Sequence, residues 1–119
     1  MPTHYLAHWV VALLLTLAVE VPLVSAALRG DEPHGERRIR IVAIANLLSH
    51  AALFLGLPWL VVLKGWVLLA GEAAVAAFEA AVYRGTIARG SFRALAVSCA
   101  ANAASFAAGA LMNALVGWP

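Results

Sequence analysis

Charge is scarce in this sequence. Asp, Glu, Lys and Arg make up 12% of it, against about a quarter of an ordinary soluble domain. Hydrophobic residues make up 64%, where about 45–50% is usual. That balance excludes folding around a water-soluble core as the organising principle. Cysteine is nearly absent too. The lone Cys99 excludes an intramolecular disulfide. It falls inside an apolar stretch and reads as a small residue in a helix interface. A redox role would need an adjacent base, which the sequence does not supply. No helix carries a Glu-x-x-His spacing, and no internal repeat points to an inverted-repeat transporter.

No Lys or Arg precedes the first apolar stretch, Tyr5 to Leu28. A secretory signal needs a positive start and an apolar core of about 7–15 residues. This stretch is longer and contains Glu20 and Pro22. It is therefore expected to be a retained span, although "VSAA" at 24–27 looks like a cleavage site.

What is present is a series of apolar runs, each near the 20 residues that cross a bilayer. They predict spans over 5–28, 39–63, 66–83 and 94–116, making one domain over 1–119. The expected fold is all-α, an integral membrane four-helix bundle with both termini on the same side. The loop "RGDEPHGERRIR" should break any helix and stand as a solvated turn. Pro58 should kink or end the second span, Lys64-Gly65 should form a tight link, and "RGTIARGSFR" should be a loop. Spans three and four are rich in Ala and Gly, which permit close helix approach where lipid supplies no hydrophobic drive.

Seven basic residues fall in the first and third loops: Arg29, Arg37, Arg38, Arg40, Arg84, Arg89 and Arg93. Only Lys64 falls in the second. The positive-inside rule places the arginine loops in the cytoplasm and both termini outside, in a bacterial inner membrane. His4, Tyr5, His8, Trp9, Trp59, Trp66 and Trp118 then lie near the outer interface, as an aromatic belt does. Basic residues confined to loops and helix ends do not make a nucleic-acid surface.

Three of the six acidic residues lie inside spans: Glu20, Glu72 and Glu79. An ionisable residue at a span centre costs about 2.5–3.5 kcal/mol on insertion scales. A neighbouring Leu or Val returns only about 0.3–0.6 kcal/mol. Asn46, His50 and Asn102 add polar groups, with Pro22, Ser49, Tyr83, Ser98 and Ser105 in support. Counted from the arginine-loop end at about 1.5 Å per residue, Glu20 lies about 12 Å deep and Asn46 about 10 Å. His50, Glu72 and Asn102 fall at about 15–16 Å, and Glu79 at about 6 Å. Asn46 and His50 share a face, as do Glu72, Glu79 and Tyr83; Ser98, Asn102, Ser105 and Gly109 form a polar, small stripe. Pro22 frees the carbonyl of Ala18, near the Glu20 carboxylate.

Plainer readings stand beside these. Asn46, Asn102 and the serines can be interhelical hydrogen-bond glue. Glu79 can reach headgroups or pair with Arg84. Glu20 and Glu72 can be protonated structural carboxyls. No metal ligands are assigned; Glu20, His50 and Glu72 are the candidates should a metal bind.

The motifs "EVP" at 20–22, "NLLSH" at 46–50, "EAAVY" at 79–83 and "ANAAS" at 101–105 resemble a group of small, uncharacterised four-helix bacterial membrane proteins. The resemblance covers residues 6–116, with Ala51 where the group's second motif continues with proline. It implies a fold and a site but no activity. Size and a membrane glutamate are also similar to the small multidrug transporters, although Glu20 falls late in its span.

The expected function is a proton- or cation-linked transporter, channel or transport-complex subunit. Its partners are the bilayer and further copies or a larger complex, without nucleic acid. The alternatives are an intramembrane enzyme, metal-dependent or not, acting on a lipid-like substrate, and an assembly subunit without chemistry. No cofactor is indicated.

Overall fold

Long runs of Leu, Ala and Val with few internal breakers favour helix, and in lipid a helix satisfies its backbone internally. A computed structural model describes residues 3–60, 66–87 and 90–117, with side chains for all of these except 3–5, 57–60 and 68. It is all-α, with helices α1 (Thr3–Ala27), α2 (Gly35–Leu60), α3 (Trp66–Thr86) and α4 (Ser91–Val116). Three of them, α1, α2 and α4, are long and apolar enough to cross a membrane. The longest dimension is 42 Å, against a hydrocarbon core of about 30 Å.

The helices start and stop differently from the apolar runs. α2 begins at Gly35, inside the loop expected to break helices, and Glu36 sits in its first turn. α3 continues to Thr86 with Arg84 in its last turn, and α4 begins at Ser91. Hydropathy ends where water begins, but Glu and Arg are good helix formers, and these signs suit the helix dipole at those ends. α2 also runs through position 58 to Leu60. The Lys64-Gly65 link, Arg89, Trp118 and the side chains of His4, Tyr5 and Trp59 lie outside the described residues. α4 closes at Gly117, whose left-handed φ of 64° lets its N–H reach the Asn113 carbonyl at 2.9 Å.

Each helix packs against two others in a closed cycle: α1 on α2 and α4, α3 on α2 and α4. At Gly71 a Cβ would stand 2.9 Å from Leu53 Cδ1, so α3 and α2 approach closely there. The partition of residues is the reverse of a soluble protein's. Leu14, Ile44, Leu55, Leu69, Phe106 and Leu111 are exposed, whereas Glu20, Asn46, Glu79 and Ser98 are wholly buried. Cys99 faces outward from α4, not into an interface.

The interior is layered. At the arginine end, Val24, Leu28, Val42, Ala45, Tyr83, Ile87, Ala94 and Ala101 form an apolar plug. Around it stands an ion cluster: most of "DEPHGER" is exposed, as a solvated turn would be, but Asp31 is buried. Asp31 is 2% exposed and Arg38 6%. Arg38 donates to the carbonyls of Ser25 (2.9 Å), Asp31 (2.8 Å) and Pro33 (3.1 Å), and meets His34 Nδ1 at 3.0 Å. Arg93 pairs with Asp31 at 2.9 Å and donates to the Ala27 carbonyl at 2.8 Å. Helix carbonyls at a C-terminus lack intrahelical donors, and guanidinium groups supply them here.

Candidate functional site

Beyond the plug, all four helices contribute to one buried polar network. Its centre is Glu79 on α3. Ser49 of α2 donates to its Oε1 and Asn102 of α4 to its Oε2, both at 2.7 Å. Glu79 thus faces the interior, and Arg84, its other expected partner, donates to Ser91 at 3.0 Å. Asn102 also donates to the Ser98 carbonyl at 3.0 Å, and Ser98 donates across to the Ala76 carbonyl at 2.8 Å. Ser105, one turn on, donates to Glu20 Oε1 of α1 at 2.6 Å and lies 3.0 Å from the Asn102 carbonyl. Asn46 donates to the Val42 carbonyl at 3.1 Å and lies 3.5 Å from the Tyr83 hydroxyl.

The helical register explains these meetings. Positions 98, 102 and 105 share one face of α4, and 46 and 49 share one of α2. Alanines leave room for the bonds: Ala45, Ala76, Ala80, Ala94 and Ala101 are buried around them.

His50 and Glu72 are not bonded into this network. They line a separate cavity of about 160 Å³ with Thr16, Ser105, Phe106 and Gly109. Ser105 therefore belongs to both: it lines the cavity and bonds to Glu20. Ser49 plays the same part at the other end. It lines an apolar groove of about 600 Å³ between α2 and α3, beside Leu53, Gly71, Val75 and Phe78, and it bonds to Glu79. The network thus runs between two clefts, ending at a hydroxyl in each.

Pro22 does not support the cluster. It is exposed, as is Ala18, because two residues turn about 200° around a helix from the buried Glu20. Glu20, His50 and Glu72, the candidates should a metal bind, are not brought together as one group. Among the described residues no three His, Cys, Asp or Glu side chains gather as a metal-binding group.

Sequence reasoning missed Thr16, which lies one turn before Glu20 and is 7% exposed; its i, i+4 spacing was a usable signal. It also treated Arg38, Asp31 and Arg93 only as loop charges, and no local pattern reveals that they are partners. No protein-family model, curated protein or solved structure matches this chain.

Proposed function

We propose that this is a four-span membrane protein of the bacterial inner membrane, with its arginine-rich end in the cytoplasm, that moves protons or a cation as part of a transport process. The observation that carries this is the buried network joining Glu20 and Glu79 through Ser105, Asn102 and Ser49. Its two terminal hydroxyls line different clefts. Ionisable groups at membrane depth that face the protein interior mark ion or proton pathways. A single four-helix unit leaves little space for a second substrate, so the reading includes further copies or a larger membrane partner. The apolar plug at the arginine end would be the closed gate of this conformation.

The test is reconstitution of the full chain in liposomes with a pH-sensitive dye inside. An imposed proton gradient, with potassium and valinomycin to balance charge, should drive lumenal pH change. Glu79→Gln should reduce it at least tenfold while the protein still elutes as one species. Flux equal to that of empty liposomes, or unchanged by Glu79→Gln, overturns the reading.

A second reading draws on the apolar groove. Its walls suit a lipid-like chain, and Ser49 lines it with its hydroxyl bonded to Glu79 behind. In that reading Glu79 serves as acid or base towards such a substrate. Gly71→Phe, which would fill the groove, should then abolish turnover of a lipid-like substrate in protein that still elutes as one species; unchanged turnover overturns this second reading.

A further inference from the structure

The inventory of hydrogens around Glu20 and Glu79 does not balance if both are ionised. A carboxylate only accepts, a hydroxyl offers one proton, and an amide nitrogen offers two. Ser49 has one proton for two acceptors, Glu79 Oε1 at 2.7 Å and the Asn46 carbonyl at 3.1 Å. Ser105 likewise has one for Glu20 Oε1 at 2.6 Å and the Asn102 carbonyl at 3.0 Å. Two further acceptors, Glu20 Oε2 and Asn46 Oδ1, have no hydrogen bond of good geometry among the described residues, although the Asn46 and Glu20 side chains lie within hydrogen-bonding reach of each other. Both residues are fully buried, and the Asn46 amide neighbours the Glu20 carboxyl. Orphaned buried acceptors are rare, and each costs about 1–3 kcal/mol.

Resting on the transport reading above, we infer that the species held in the network is a proton, carried on Glu20 Oε2 and shared with Asn46 Oδ1. One hydrogen at that position turns Oε2 into a donor and satisfies both orphans. Oε1 remains free to accept from Ser105. A metal cation fits poorly, because hard cations take about six to eight oxygen ligands. Here Glu79 has both oxygens bonded and Glu20 has one, which leaves two uncommitted oxygens, Glu20 Oε2 and Asn46 Oδ1. The charged groups facing Glu20 add to the argument. They are Glu79 and Glu72 of α3, both acidic. Tyr83 of α3, Asn46 of α2 and Ser105 of α4 are uncharged, and His50 of α2 lies across the Ser105 cavity. Arg38 and Arg93 bind loop and helix-end carbonyls at the arginine end. Starting from an ionised Glu20, a proton entering from the cavity would pass His50 or Glu72 and reach the Ser105 hydroxyl, whose own proton moves to Glu20 Oε1; rotation of the carboxyl then turns that hydrogen towards Asn46, in the Oε2 position. Ser105 gains one proton and releases one, so its bonds are restored as the charge moves on.

The experiment is infrared difference spectroscopy of the full chain in lipid nanodiscs, in H2O and D2O at neutral pH. A protonated-carboxyl C=O band that shifts on deuteration is expected. It should be lost in Glu20→Gln and displaced in frequency in Asn46→Leu. A rotated Asn46 amide donating to an ionised Glu20 is the competing arrangement, and it gives no such band. A spectrum unchanged by Glu20→Gln overturns the inference. Should Glu20→Gln fail to fold, the unmutated protein labelled with ¹³C at the glutamate carboxyls keeps the question open to measurement. Its sequence has five glutamates, and finding all five ionised refutes the shared proton. The band without proton flux in liposomes would sink the transport reading alone. Proton flux with an ionised Glu20 would sink this inference alone.

Discussion

Asn102 Nδ2 donates to Glu79 Oε2 at 2.7 Å, tying α4 to α3 in the buried middle of the network. Asn102→Ala removes the only bond to that oxygen given among the described residues. Interhelical hydrogen bonds in lipid contribute about 1–2 kcal/mol at most, and a buried acceptor left bare costs about 1–3 kcal/mol. Asn102→Ala should therefore destabilise the protein by about 2 kcal/mol, read from reversible denaturation in mixed detergent micelles. The double variant with Glu79→Gln should recover part of that loss, because a neutral amide tolerates the missing donor better. Equal or greater loss in the double variant would show that the two side chains do not interact.

Glu72 stands in a different situation. It lines the small cavity with His50 and Ser105 and is partly exposed there. Glu72→Gln should change stability by less than about 0.5 kcal/mol, as substitutions away from packed networks do. Its proton flux in liposomes should nonetheless fall severalfold if, as proposed, protons reach Ser105 through this cavity. Loss of folding with normal residual flux per folded molecule would make Glu72 a packing residue.

Arg38 is the best-connected side chain of the arginine end. Arg38→Ala would strand the carbonyls of Ser25, Asp31 and Pro33 together. Breaking one partner of a buried charged cluster costs about 3–5 kcal/mol. Arg38→Lys should rescue little, because an ammonium cannot reproduce the guanidinium fork. Arg40, paired one turn away with Glu36 on the exposed face, is the control. Arg40→Ala should leave stability within about 0.5 kcal/mol. Thermal denaturation of the three variants in one detergent compares them directly.

Topology has a simple test. Cys99 faces outward from an apolar helix, so in membranes a water-soluble maleimide should leave it unlabelled. In a Cys99→Ser background, Glu36→Cys presents a thiol at an exposed position of the arginine end. It should label in inverted vesicles and not in right-side-out ones. The opposite result reverses the proposed orientation.

Gly71 governs the approach of α3 to α2. An added methyl would meet only the end of the Leu53 side chain, which can rotate away. Gly71→Ala should thus cost no more than about 1 kcal/mol, while Gly71→Val, branched and stiff, should cost about 1–3 kcal/mol as overpacked sites do. Denaturation midpoints of the two variants separate local adjustment from helix displacement.

Much of this was legible without coordinates. Apolar runs of span length and three intramembrane carboxyls are local properties, and a 3.6-residue period suffices to put Ser98, Asn102 and Ser105 on one face of α4. The same period should have warned that Pro22 turns away from Glu20. What no local rule contains is which face meets which. Depth counting placed Glu79 nearer the headgroups than His50 and Glu72, yet Glu79 is the centre of the network and they line a cavity beside it. Depth is one coordinate, whereas a hydrogen bond also requires the right rotation of both helices, set by how alanine-lined surfaces pack. Asp31, Arg38 and Arg93 show the same limit. In the sequence they are loop charges; only packing brings helix-end carbonyls within reach of the guanidinium groups and excludes the water that would otherwise serve them. Composition and period determine that the chain is helical, apolar outside and polar at scattered points within. Tertiary structure alone decides that those points form one hydrogen-bonded network, with unsatisfied acceptors on Glu20 and Asn46.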